Sequence, residues 1–139
     1  MATFTKFDVF TENLAEGVHN LGSNTLKVML TNSAPLVTNT VKANLTEISA
    51  GNGYTAGGTA VTVTSSAQSS GVYSLVGNDV VFTASGGSVG PFRYAVLYND
   101  TPTSPADPLI AFWDYGSSVT LASGETLTVD FGSNILTVT

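Results

Sequence analysis

The stretch from Gly90 to Phe131, GPFRYAVLYNDTPTSPADPLIAFWDYGSSVTLASGETLTVDF, limits the possible folds more than any other part of the chain. Phe92 to Tyr98 and Leu109 to Tyr115 are nearly unbroken apolar runs, separated by the Pro- and Asp-rich segment Asn99 to Pro108. Such runs suit strands buried on both faces, or strands with one face buried and the other covered by a partner. Thr126 to Phe131 alternates instead, with Leu127, Val129 and Phe131 on one side and Thr126, Thr128 and Asp130 on the other. That is the two-residue period of a half-buried strand.

Upstream, Phe7, Phe10, Leu14 and Val18 recur at three- and four-residue steps and predict one short helix over Lys6 to Glu16, stopped by Gly17. Thr25 to Thr31 alternates as a first strand that ends before Pro35. Asn39 to Ile48 has the apolar spacing of a single helical turn around Val41, Leu45 and Ile48. The loop GNGYTAGG, Gly51 to Gly58, follows, with Tyr54 as its only large anchoring side chain. Strands are predicted at Thr59 to Thr64, Val72 to Val76 and Asp79 to Ala84, and again from Ile135, with Gly77-Asn78 as a two-residue hairpin turn. The low-complexity stretch Thr62 to Gly71, TVTSSAQSSG, reads as a strand end and an exposed loop. Together these signals predict an all-β, mainly antiparallel fold, a jelly-roll-like β-sandwich of about eight strands with a short N-terminal helix. One domain covers 1–139, with the helix or arm in 1–20 and the sandwich in 21–139.

Only 10% of the 139 residues are charged, against roughly 25% in ordinary soluble proteins. Ser, Thr, Asn and Gly supply the polar surface, and these groups lose less on desolvation against a neighbour than Lys or Glu do. With 42% hydrophobic residues and a mean hydropathy of +0.24, much of the surface is expected to be covered by other subunits. The four basic residues, Lys6, Lys27, Lys42 and Arg93, are scattered, so no patch supports nucleic-acid binding, and the net charge is −6. The absence of cysteine excludes disulfides, thiolate metal sites and cysteine nucleophiles. No uninterrupted apolar leader opens the chain and no run of about eighteen apolar residues occurs, so neither secretion nor membrane spanning is expected.

The side chains capable of chemistry read mostly as structural. His19, the single histidine, lacks the nucleophile context that a general base requires. Asp100, Asp107 and Asp114, with Glu125 and Asp130 beyond, offer carboxylates for a hydrolytic pair, but Pro102 and Pro108 beside Asp100 and Asp107 favour turn formation there. No calcium loop, phosphate cradle or other cofactor signature is present, so no cofactor or metal is expected. Asn44-Leu45-Thr46 has the form of a glycosylation sequon. Trp113 and Tyr115, alternate residues of one strand, are candidates for packing, for an interface or for a sugar platform. Arg93, between Phe92 and Tyr94, needs a carboxylate such as Asp114 or Asp130, or one from a neighbouring subunit. Phe7, Phe10 and Leu14 form a candidate arm for docking on a neighbour, and Tyr54 joins them as a candidate interface residue.

The blocks GVHNLGSNTLKVMLTNSAP (Gly17 to Pro35), GNGYTAGG, SGGSVGPFRYAVLYNDTP (Ser85 to Pro102) and PLIAFWDYGSSVTLASGETLTVDF resemble a family of small structural proteins of tailed bacteriophages, among them capsid decoration, or cement, proteins. The resemblance spans most of the chain. It implies a β-sandwich that assembles, commonly as a homotrimer, on the outer surface of the major capsid protein lattice and stabilises the head. No catalytic residue carries over. The chain would be made in the host cytoplasm and end up in the virion, with no nucleic-acid or membrane partner. Alternatives are a tail or fibre-base structural protein and a glycan-binding module for host attachment. A hydrolase built on two carboxylates is the remaining rival.

Overall fold

The computed structural model describes residues 3–139. It is mostly antiparallel β-structure with one short helix. The ten strands are β1 (Thr3–Lys6), β2 (Leu26–Thr31), β3 (Thr59–Ala60), β4 (Val63–Ser69), β5 (Val72–Gly77), β6 (Val80–Thr83), β7 (Val89–Asn99), β8 (Leu109–Leu121), β9 (Thr126–Val129) and β10 (Leu136–Val138). The helix α1 spans Asp8–Ala15, and Lys42–Asn44 forms the single turn, of 3-10 type, that the sequence signals. Two strands exceed the expected number, because β1 was hidden at the helix start and β4 lies in the stretch that reads as loop.

The long β7–β8 hairpin is the spine of a five-stranded sheet in the order β1-β8-β7-β2-β3. Three-stranded β10-β5-β4 and two-stranded β6-β9 cover one face of it. Leu26, Val28, Leu30, Leu97 and Trp113 meet Leu75, Phe82, Val129, Phe131 and Ile135 there in one continuous core. Burying each such side chain contributes about 1.5–3 kcal/mol.

The opposite face of the same sheet carries a second, smaller core of Phe7, Met29, Tyr94, Val96, Tyr98, Leu109 and Phe112. Alternate residues of the apolar runs therefore serve two cores, which is why the runs are unbroken. The cover is the chain's own. Leu45 and Val9 pack on this second core, Leu109 N–H donates to the Thr40 carbonyl (3.0 Å), and Lys42 N–H donates to that of Asp107 (2.9 Å).

Two local expectations are corrected. Phe7 does not share a helical face with Phe10, because its backbone is extended (φ −75°, ψ 143°) and the helix starts after it. Phe7 consequently drops into the second core, while Phe10 enters the first. Gly17, with φ +78°, does end the helix. Gly77-Asn78 is not a hairpin turn: β5 pairs with β4 and β10, and β6 pairs with β9. Two-residue hairpins want positive φ in the turn. Ser70 (φ 50°) and Gly71 (φ 82°) supply it between β4 and β5, whereas Gly77 has no positive φ.

Candidate functional site

The GNGYTAGG loop is held by Tyr54, whose hydroxyl donates to Glu47 Oε2 (2.6 Å) and accepts from the Leu30 N–H (3.0 Å). Glu47 Oε2 also accepts the Gly57 N–H (2.6 Å), and its other oxygen pairs with Lys42 Nζ at 3.2 Å. Tyr98 closes the circuit by donating to the Gly57 carbonyl (2.6 Å). Burial, then the hydrogen bond to Glu47, raises the Tyr54 phenol far above its usual range. Burial likewise raises that of Tyr98. Tyr54 thus anchors the loop as expected, but it is buried and not available as an interface residue.

Arg93 has the partner that its position requires. Its Nε lies 2.8 Å from Asp114 Oδ1 and its Nη2 lies 3.1 Å from Oδ2, across the β7–β8 pair. The guanidinium stacks over Tyr94, 5.3 Å from the ring centroid. Hydrogen bonding to Arg93, then to the Gly116 N–H, holds the Asp114 carboxyl below the usual carboxylate range. Both side chains remain about one-third exposed, so the pair is a surface feature of the sheet.

The carboxylates of the turns, outside the helix, are spent on local geometry. Asp130 accepts the Gly132 N–H (2.7 Å), Glu125 that of Ala122 (2.7 Å), and Asp79 that of Phe131 (2.9 Å). Asp100 pairs with Lys27 at 3.0 Å, in the β7–β8 loop that also holds Asp107. Burial, then the Asp100 charge, raises the Asp107 carboxyl. Asp114 sits opposite Tyr94 along the hairpin and does not converge with this pair. Among the described residues no three His, Cys, Asp or Glu side chains gather as a metal site, and no helix is long and apolar enough to cross a membrane.

His19 is buried against Phe10, with ring centroids 5.3 Å apart. The Asn99 amide nitrogen contacts His19 Nδ1 (3.0 Å) and Asn24 Oδ1 (2.8 Å), while Asn99 Oδ1 accepts the Thr101 N–H (3.1 Å). This pattern fixes the amide as donor, so Nδ1 is the unprotonated nitrogen of a neutral ring. Desolvation lowers the His19 pKa to about 4.

Trp113 is only 6% exposed, packed 5.5 Å from Phe131 and 5.5 Å from Phe4. A sugar platform needs an open ring face, and Trp113 does not offer one. Half-buried Tyr115, its phenol pushed up to about 12 by burial, joins Trp113, Thr128, Asp130 and Phe131 around a groove of about 580 Å³. Of the proposed arm, Phe7 and Phe10 are buried in the chain's own cores and Leu14 is half-buried against the larger one, so none of them forms a free docking face.

Among the described residues the exposed large apolar side chains are Leu36 (62% exposed), Val37, Val72, Val81 and Phe4, the last beside Trp113. Leu36 stands on a fixed loop, since its N–H donates to Asn39 Oδ1 (2.8 Å) and its carbonyl accepts the Asn39 N–H (2.9 Å). Asp8 N–H donates to the Val37 carbonyl (3.0 Å) and ties the loop to the helix start. Apolar residues directly after Pro35, outside any strand pattern, were the available sequence signal for this knob.

No family model, curated protein or solved structure matches the chain. The likeness to phage head proteins therefore rests on the sequence blocks alone.

Proposed function

We propose that the chain is a non-enzymatic structural protein of a tailed-phage virion that binds the outer surface of the major capsid lattice as an oligomer and stabilises the head. The observation that carries this reading is the outer wall of the sandwich. Three of the chain's four basic side chains are neutralised by Asp or Glu, Ser, Thr and Asn far outnumber the seven carboxylates left without a basic partner among the described residues, and Leu36 stands out on a pinned loop. Such a wall loses little on desolvation and gains from apolar contact, which suits repeated contact with a large surface. Several copies acting together convert modest contacts into firm attachment.

The test is cosedimentation of the purified chain with expanded, undecorated heads, with unexpanded heads and with tail tubes. Saturable binding to expanded heads alone is expected, and Leu36→Asp is expected to weaken it about tenfold, equivalent to ~1.4 kcal/mol. Binding to tail tubes instead, or to none of the three, overturns the capsid assignment.

A further inference from the structure

Strand β4 is an open edge. Among the described residues it pairs only with β5, and all of it after half-buried Val63, Thr64 to Ser69, is exposed. The two-residue Ser70–Gly71 turn makes Ser69–Val72 a hydrogen-bonded pair, and alternation then makes Ala67–Ser74 another. The main-chain N–H and C=O groups of Ser66 and Gln68 accordingly point away from β5, and no described residue supplies them a backbone partner.

Proteins ordinarily guard such an edge with charge, proline or brevity. The other edges here are guarded: β3 has two residues and β10 three, β1 ends on Lys6, Glu125 and Asp130 flank β9, and β6 has four residues directly after Asp79. β4, seven residues long, has no such device. No charged residue occurs anywhere from Ile48 to Asn78, so this is where two copies, each of net charge −6, can approach without repulsion between nearby charges.

We infer that β4 is a self-association edge, on which a second copy of this chain adds its own β4 in antiparallel register. The unpaired groups fix that register. Ser66 of one copy exchanges main-chain bonds with Gln68 of the other, and the two Ala67 residues face each other on a two-fold axis. The three-stranded sheet β10-β5-β4 becomes one continuous sheet through both copies. This assembly is a closed pair, unlike the three-fold one that the phage resemblance implies. It requires no capsid, so its failure and that of head binding are separate outcomes.

The experiment is sedimentation equilibrium of the full chain across micromolar concentrations. Twice the 14.3 kDa chain mass is expected for the wild type. Ala67→Lys sets two lysines against each other at the axis and is expected to give single-chain mass. Ser65→Lys, on the same exposed face, is expected to weaken the pair as well, and both variants should keep the wild-type circular dichroism spectrum and a cooperative unfolding transition, shifted down only by the lost association. Val81→Lys, exposed on β6, is expected to leave the pair intact. A single-chain or three-chain mass for the wild type overturns the inference, as does a pair that persists in the two folded lysine variants.

Discussion

Replacing Gly58 by Ala is expected to remove about 3–5 kcal/mol of unfolding free energy, a large part of what a domain of this size possesses. Gly58 combines a φ of +83° with a close crossing over β2. A Cβ there would lie 1.8 Å from the Val28 carbonyl oxygen and 2.8 Å from Met29 Cα, and backbone cannot yield as a flexible side chain can. The loop approaches this closely because Tyr54, Glu47 and Tyr98 pull it onto the sheet. Gly86→Ala is the control: its φ is +79°, but nothing lies within 4 Å of the added atom, so it is expected to cost only about 1 kcal/mol. Urea unfolding of the two variants separates strain from collision. Equal losses would mean that the loop does not cross β2 as described.

Acidification is expected to destabilise the fold through His19. The unfolded ring takes up its proton near 6.5, whereas the buried ring does so only near 4. Between these values the unfolded state binds more protons, so stability rises with pH across the window and is lost as pH falls through it. The full contribution is present above pH 6.5, and the loss reaches about 3 kcal/mol by the bottom of the window. The structural event is a clash of donors, because a proton on Nδ1 would face the Asn99 amide N–H. Asp107, with its raised pKa, works in the opposite sense and is common to both proteins in a comparison with His19→Gln. The difference in urea midpoint between pH 7 and pH 4.5 should be clearly larger for the wild type than for His19→Gln. Parallel pH profiles would show that the ring is not desolvated.

Much of the sheet was legible because its strands carry strong patterns. The runs Phe92 to Tyr98 and Leu109 to Tyr115 became the paired spine, and of the two readings that their apolar character left open, burial on both faces within the chain is the one found, with Arg93 and Asp114 as the polar exceptions. What covers the second face was not legible, since Phe7 and the segment around Thr40 and Leu45 reach it through long-range contacts that leave no local periodicity. Phe7 fell in step with a helical repeat that its own backbone does not follow. The true β4–β5 turn was missed because Ser-Gly sits inside a serine-rich stretch without alternation, while Gly77-Asn78 carries a stronger turn signature but is used to pass between sheets. The Arg93–Asp114 pair was foreseeable because a guanidinium between two aromatics on a strand requires a carboxylate nearby. The Leu36 knob and the bare β4 edge depend on what is left uncovered, which only the assembled chain reveals.

The claim that this body works by adhering to an expanded lattice is tested most directly by heating DNA-filled heads with and without the chain and recording the temperature at which DNA escapes. A ligand that binds only the expanded, intact form stabilises it by mass action. Decorated heads are therefore predicted to retain DNA to a higher temperature, by an amount that grows with chain concentration until the lattice is saturated. Identical release temperatures at saturating chain would contradict the account.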